Sequence, residues 1–493
     1  MGVMRFVVSP PDRITPEMAQ LAYMSGLDRI PWRGGARLID GKLIFDRDVS
    51  ESGNLFLPWP VEGVGTLTLS TGCLLERDAP YHLPLELARG EVCQFRNQLA
   101  DWRSVGLVVP ESVLRAADDA ARLFFRAANR PAGSDESVRL AEQSLCRIVD
   151  AAERLAACYA EQAWAVRRLS HQRRPWLGID LGATPLDDQT ARQLAATFNA
   201  ARVPLAWAEI ETSEGARNWM TFDRQIRWCK EQNLFTCAGP LLQFGPGCSP
   251  DWLYLFEDDF AGLQASVSEF VEAVVSRYRG RVDLWQCAGR PNTADLLALE
   301  EDEIVQLTAH VVEQVHSLDP KTPLVVSFDQ PWSEYLGRRD VDFPPMYFAD
   351  ALLRADLGLS ALMLEINMGY EPGGTLPRDP IDFSRQLDAW SGLGLPLYLA
   401  VCSPSGDHVD PLARRRDQPL PKGITPASQQ AWLASHLPLA MAKPYIHGVF
   451  WRQLHDCVPH DYAHGGLFDF HRKAKPALTT LAALGDAVRQ WGP

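Results

Sequence analysis

No apolar run in this sequence approaches the ~20 residues that a membrane-spanning helix requires, so contact with a bilayer is not expected. The residues up to Arg13 hold a short apolar stretch that Pro10 and Pro11 interrupt at once. It lacks the hydrophobic region and small-residue cleavage site of a secretory signal, which predicts a cytoplasmic protein. No CxxC pair occurs among ten singly placed cysteines. Cys146, Cys158, Cys229, Cys237 and Cys287 sit inside apolar periodic segments, where a thiol packs as a small hydrophobe. That favours a reducing compartment over a disulfide scaffold. Basic density is missing too. The net charge is −14, and Arg414-Arg415-Arg416 is the one dense basic run, read as a solvated loop, so nucleic-acid binding is not expected. No cofactor or metal motif is found.

What is present is an ordinary globular composition, 46% hydrophobic and 22% charged, in a chain of 493 residues that is long enough for two or three units. Residues 1–108 read as a β-rich, sandwich-like domain. Ala36-Arg37-Leu38-Ile39 and Lys42-Leu43-Ile44-Phe45 alternate around the hairpin signal Asp40-Gly41. Further strand-like runs lie at 54–57, 65–69 and 82–85. Carbohydrate-active enzymes often carry such a module, but fold analogy alone does not make it a sugar binder. Residues 109–170 read as a helical hairpin. Leu114, Ala117, Ala121 and Phe124 mark one helix. Leu140, Leu145, Ile148, Ala152, Leu155 and Tyr159 mark a second from Asp135 to about Leu169, with Arg130-Pro131-Ala132-Gly133 as the break.

From 171 to 493 short apolar runs alternate with amphipathic helices. Eight candidate strands fall at 176–181, 204–210, 234–242, 282–288, 323–329, 361–367, 396–402 and 447–454, with helices such as 260–278, 301–317 and 428–441 between them. Eight such units predict a (β/α)8 barrel of the α/β class. A doubly wound open sheet is the rival, but no glycine-rich phosphate loop follows the first strand.

Barrel sites are built from the C-terminal ends of the strands. Several stretches there carry a resemblance. They include Phe198-Asn199 followed by Trp207, Glu211, Gly215 and Asn218-Trp219, and also Ser249-Pro250-Asp251-Trp252-Leu253. Arg277-Tyr278-Arg279-Gly280-Arg281-Val282-Asp283-Leu284-Trp285, Gly394-Leu395-Pro396-Leu397-Tyr398-Leu399 and Gly448-Val449-Phe450-Trp451 follow. Gly465-Gly466-Leu467-Phe468-Asp469 and Lys473-Ala474-Lys475-Pro476-Ala477-Leu478 complete the set. In this order and spacing they resemble glycoside hydrolase family 10, the xylanase-type barrels, over about 174–490.

The resemblance implies a retaining mechanism with two glutamates, at the ends of strands four and seven. Neither is here. The family's Asn-Glu pair falls on Gly289 and Arg290, and arginine cannot serve as a general acid near neutral pH. The nucleophile falls on Val401, or on Cys402 with a one-residue slip, and no Asp or Glu occurs between Asp388 and Asp407. The sugar-gripping positions change as well. Ala206-Trp207 stands for Lys-Trp, Gly239, Gln243 and Phe244 stand in the strand-three region, and Asn367 replaces a histidine.

Other polar groups end the strands: Asp180, Glu209, Asp329 and Glu365. Glu365, between apolar neighbours, reads either as an inward acid of raised pKa or as the salt-bridge partner of Arg290. Arg290 with Asp329 or Glu365 would also suit an anionic sugar. The loop His455-Asp456-Cys457-Val458-Pro459-His460-Asp461-Tyr462-Ala463-His464 has metal-binding residue types at no metal-binding spacing, and reads as a polar mouth loop. Trp207, Trp252, Trp285, Trp332, Tyr370 and Trp451 are candidates to stack on sugar rings. The expected function is a pseudo-glycosidase that binds an oligo- or polysaccharide, anionic ones included, without the standard hydrolysis. Two other readings stay open: a glycosidase with relocated carboxylates among Asp180, Asp329, Glu365 and Asp456, and a scaffold or interaction protein.

Overall fold

The computed structural model describes residues 2–490 except 171–172, 246, 296, 340, 342, 416–417 and 420–421. Arg416 of the basic run lies outside the described residues.

Eight parallel strands close into a barrel. In chain order they are Trp176–Asp180, Ala200–Val203, Phe235–Ala238, Leu284–Gly289, Leu324–Asp329, Ala361–Asn367, Leu397–Cys402 and Ile446–Trp451, numbered one to eight below. Strand eight pairs with strand one, and strand three pairs with strand four, which leaves no open edge. Most of these strands are buried along their whole length, because helices cover one face and the barrel interior the other. This is why they read as continuous apolar runs and not as alternation. The helices start where the sequence places capping residues. Asp187, Asp259, Asp379 and Thr425 each accept a backbone N–H of the first turn, and Pro345, Pro380, Pro426 and Pro476 open their helices.

Two barrel strands differ from expectation. Strand two is Ala200–Val203, not 204–210, and Trp207–Ile210 forms a helical turn beyond it. Arg202 inside the strand disguised it, since a charged residue breaks an apolar run. Strand three stops at Ala238, and Leu242–Gln243 resumes the pairing on strand four.

At the N-terminal end, Gly34–Ile39 and Lys42–Arg47 form the expected hairpin, with Asp40 (φ 48°) and Gly41 (φ 71°) in the left-handed region that its turn demands. Gly2–Val7 and Tyr81–His82 complete that sheet; Tyr23–Ser25, Asn54–Val61 and Gly65–Ser70 make a second. Residues 82–85 are not a strand. His82 ends the sheet and a helix runs from Leu83 to Ser104, with Pro84 and Glu86 in its first turn and Leu87, Val92, Phe95 and Trp102 buried. Four residues were too short a window to reveal that 3.6-residue period. Helices Glu111–Ala128 and Asp135–Leu169 form the expected hairpin. Met4, Phe6 and Phe45 of one sheet share a core with Leu55, Leu57 and Leu69 of the other. Leu83, Leu87, Leu140, Leu145 and Val149 of the helices join the same core. Gly90 lets the first helix lie against the second sheet, because a Cβ there would come within 1.9 Å of the Ser70 carbonyl oxygen.

These N-terminal elements dock on one side of the barrel. Thr68 N–H donates to the Pro377 carbonyl (2.7 Å), and Arg378 donates to the Tyr23 hydroxyl (2.9 Å). Arg378 also pairs with Glu334 and with Asp382 (3.2 Å), and Arg29 pairs with Asp382. Further along, Arg167 donates to the carbonyls of Met441 (2.6 Å), Lys443 (2.7 Å) and Ile446 (2.9 Å). Among the described residues no helix is long and apolar enough to cross a membrane.

Candidate functional site

Parallel register decides which side chains meet at the C-terminal end of the barrel. Asp180 stands opposite Arg202, and the two form an ion pair almost closed to solvent. Asp329 stands opposite Glu365, which would set two carboxylates side by side in a low-dielectric interior. Arg290 resolves that conflict. It leaves strand four in the left-handed conformation (φ 61°), at a cost of about 1–2 kcal/mol for a residue with a Cβ. Its backbone N–H donates to Ser327 (2.9 Å), and its Nε donates to Glu365 Oε2 at 2.7 Å.

These pairs belong to one hydrogen-bonded belt. Arg202 Nε donates to Gln286 Oε1 (2.8 Å), Gln286 Nε2 to Ser327 Oγ (2.8 Å), and Ser327 Oγ to Glu365 Oε1 (2.7 Å). Arg452, just beyond strand eight, donates to the same Glu365 Oε2 as Arg290 and lies 3.5 Å from Asp461. Arg290 reaches the same Asp461 at 3.6 Å. Tyr462 fills the centre. Its hydroxyl accepts from Arg290 (3.1 Å) and Arg415 (3.3 Å), and the guanidinium carbons of Arg290, Arg415 and Arg452 lie 5.7, 5.4 and 5.5 Å from its ring centre.

The electrostatics follow from this arrangement. Burial would push the Glu365 carboxyl up, but Arg290, then Arg452 and Arg202, outweigh it and hold the group far below the usual carboxylate range. Glu365 is therefore the salt-bridge partner of Arg290 and not the raised-pKa acid. Asp461 is also held low, because Arg290 and Arg452, with Arg415 and Arg414, outweigh its burial. Asp180 and Asp329 are raised, in both cases mainly by burial. Where the sequence resemblance placed the nucleophile, Val401 is buried, and burial pushes the Cys402 thiol up to about 12, far from the thiolate form.

Beside the belt lies a cavity of about 380 Å³, bounded by the ends of strands one to three and the loop after strand eight. Asp180, Arg202, Trp207, Gln243, Arg452 and His455 are on its wall. Of the four candidate catalytic carboxylates, Asp180, Asp329, Glu365 and Asp456, Asp180 alone lines it. Arg290, Asp329, Glu365 and Asn367 lie away from it, and all are at least 95% buried. Asn367 donates to Asp329 Oδ1 (3.1 Å). Arg290 spends its donors inside the protein, so the anionic-sugar fork expected there is not on offer.

The aromatic candidates divide in the same way. Trp207 lines the cavity, but from the helical turn, stacked on Phe270 at 4.6 Å with its N–H on Glu211 (3.0 Å). Trp252 is half-buried, its N–H on the Glu211 carbonyl (3.0 Å). The other four turn inward, and each gives its polar hydrogen to a partner. Trp285 donates to Asp319 (3.0 Å), Trp332 to Asp382 (3.1 Å), Tyr370 to the Ala463 carbonyl (2.9 Å) and Trp451 to the Gly465 carbonyl (3.0 Å). They are core residues of the barrel and its loops, with no face for a sugar ring. Glu209 is half-exposed on the helical turn, 3.6 Å from Arg414, and Asp456 pairs with Lys475. In the strand-eight loop His460 and His464 turn to Asp410, at 3.0 and 3.6 Å, and no cluster able to hold a metal ion is found among the described residues.

Arg202 and Arg452 are the site residues that sequence reasoning missed, whereas it places Asp461 and Tyr462 in the polar mouth loop without a role of their own. Arg202 carried a signal, as the lone charge in the apolar run from Phe198 to Leu205.

No family model and no curated protein matches this sequence. Similar solved structures include xylanase 10B from Thermotoga maritima, at 14% identity and a TM-score of 0.49, covering 67% of this chain and 98% of that one. Xylanase 10B from Thermotoga petrophila RKU-1 in complex with xylobiose has 15% identity, a TM-score of 0.49, and coverage of 67% and 96%. The GH10 structure from Paenibacillus barcinonensis has 17% identity, a TM-score of 0.47, and coverage of 65% and 97%.

Proposed function

We propose that this chain is a glycan-binding barrel of family 10 type that does not cleave glycosides by the family's two-glutamate mechanism. The ordered motifs from Phe198 to Leu478 support the affiliation, and the cavity at the C-terminal mouth supplies a place for a sugar. The observation that carries the loss of hydrolysis is the 2.7 Å contact between Arg290, at the acid position, and Glu365. A residue that is always charged and already bonded offers no proton to a leaving group.

One observation favours a second reading, an enzyme with relocated carboxylates. Asp180 (raised) and Asp461 (lowered) both line the cavity, and environments that separate two carboxyl groups in this way are how acid and base are assigned. The Arg202 ion pair counts against Asp180 as a proton donor.

A panel of xylo-, cello- and uronate oligosaccharides, scored for both binding and released reducing ends, tests the two together. Binding without hydrolysis is the expected result. Hydrolysis that vanishes in Asp180→Asn would establish the second reading in its place.

A further inference from the structure

Half of the barrel mouth is sealed. The loop after strand five, through Trp332, Tyr335 and Leu336, is buried, and so is most of the loop after strand six, through Leu376 and Arg378. Two contacts made by the N-terminal sheets hold these loops down: Thr68 on Pro377, and Tyr23 on Arg378. Tyr370–Glu371 pairs with Gln418–Pro419, which ties the strand-six loop to the strand-seven loop. At the centre Tyr462, wedged between Arg290 and Arg415, stands where a channel would have to pass from one half of the mouth to the other. The cavity on strands one to three therefore has a back wall.

That wall carries unmet polar capacity. The Arg452 side chain is 6% exposed and its Nε has no hydrogen-bond partner; His455 is 9% exposed and its Nδ1 has none. Both residues line the cavity. Buried donors and acceptors left in this state are stabilised by a ligand that brings complementary groups. Sugar hydroxyls, which donate and accept, suit both. The volume of about 380 Å³ is near the lower end of the ~300–1,000 Å³ of small-molecule sites, which fits a short segment and not an extended chain.

Resting on the glycan-binding reading, we propose that this cavity recognises the end of a glycan chain, with the terminal sugar against Arg452 and His455, and that chain interiors do not bind. An open cleft accepts a polymer anywhere along its length. A walled cavity that takes one kind of chain end accepts it once per chain.

Calorimetric titration with linear xylo-, cello- and uronate oligosaccharides of increasing length, up to soluble polymer, reads this directly. Molar affinity is expected to level off after the shortest members, and each chain, however long, binds one protein. Several proteins per long chain, or affinity that climbs steadily with length, would overturn chain-end recognition while leaving glycan binding intact. No binding by any member would remove the glycan reading and this proposal with it. The half-buried Ala208 also lines the cavity, and Ala208→Trp is expected to weaken binding by tenfold or more. Unchanged affinity in the folded variant would place the site elsewhere. The stoichiometry of the unaltered protein stands whether or not that variant folds.

Discussion

Asp329 and Glu365 face one another in the register of strands five and six, yet their carboxyl groups are driven in opposite directions. Glu365 is held low by two guanidinium groups that share its Oε2, whereas Asp329 is raised, chiefly by its burial. The difference is one of contact. Arg290 touches Glu365 at 2.7 Å but stands 4.0 Å from Asp329.

Removing either partner of a buried ion pair costs roughly 3–5 kcal/mol, and this pair is expected to break asymmetrically. Glu365→Gln leaves Arg290 and Arg452 facing each other and belongs at the upper end. Arg290→Met leaves Glu365 with Arg452 and Ser327 and belongs at the lower end. Urea unfolding midpoints compare the two. A larger loss in Arg290→Met would contradict the Arg452 contact.

Tyr462→Phe removes the hydroxyl that accepts from Arg290 and Arg415 but keeps the ring between them. Hydrogen bonds to charged groups contribute about 1.5–3 kcal/mol, and a loss of that size in unfolding free energy is expected. No change would mean that the guanidinium groups are held by their carboxylates alone.

The Asp379 carboxyl sits under the N-terminal sheets, where burial and the neighbouring Asp382 raise it to about 6. A raised carboxyl is a penalty above that pH, relieved as the folded state takes up a proton on acidification. Asp379→Asn preserves the helix cap and removes the charge. The variant is expected to gain stability relative to the parent above pH 6 and to lose that advantage as the pH falls below it. A stability difference independent of pH would contradict the raised pKa.

Trp285→Ala tests the reassignment of the aromatics. Truncating a fully buried tryptophan costs roughly 3–5 kcal/mol, so thermal stability is expected to fall while the glycan affinity of the folded variant stays as it was. A selective loss of affinity would return Trp285 to the binding site.

Gly90→Ala should strike the seam between helix and sheet. The added methyl meets the Ser70 carbonyl, and overpacking of this kind costs ~1–3 kcal/mol against the ~1 kcal/mol that alanine gains in a helix. Hydrogen exchange is expected to show the amides of Leu83–Ser104 less protected than in the parent.

The barrel could be read in the sequence because its buried strands, strand two excepted, and its capped helices leave local marks, from Asp187 to Pro476. Asp40-Gly41 marked its hairpin for the same reason. Arg290 and Glu365 could be matched by position, since the family pattern placed one where an acid belongs and apolar neighbours turned the other inward. The orientation of Trp332 and Tyr370 was not readable. Tyr370 packs against Cys402 and Tyr462 from later in the chain, and Trp332 bonds to Asp382, which Arg29 engages from more than 300 residues away, and no local window holds that information. Arg202 failed for the opposite reason: a strand with a charge at its centre makes sense only once Asp180 is known to stand beside it.

The belt also fixes what position 290 can hold. Arg290→Glu would set a third carboxylate beside Asp329 and Glu365 and delete the cation between them. Three such groups in a dry interior cannot all ionise, so the variant loses stability unless Glu365 or Arg452 changes with it. The ion pair acts as a lock on the end of strand four, whose members can be exchanged together far more readily than one at a time.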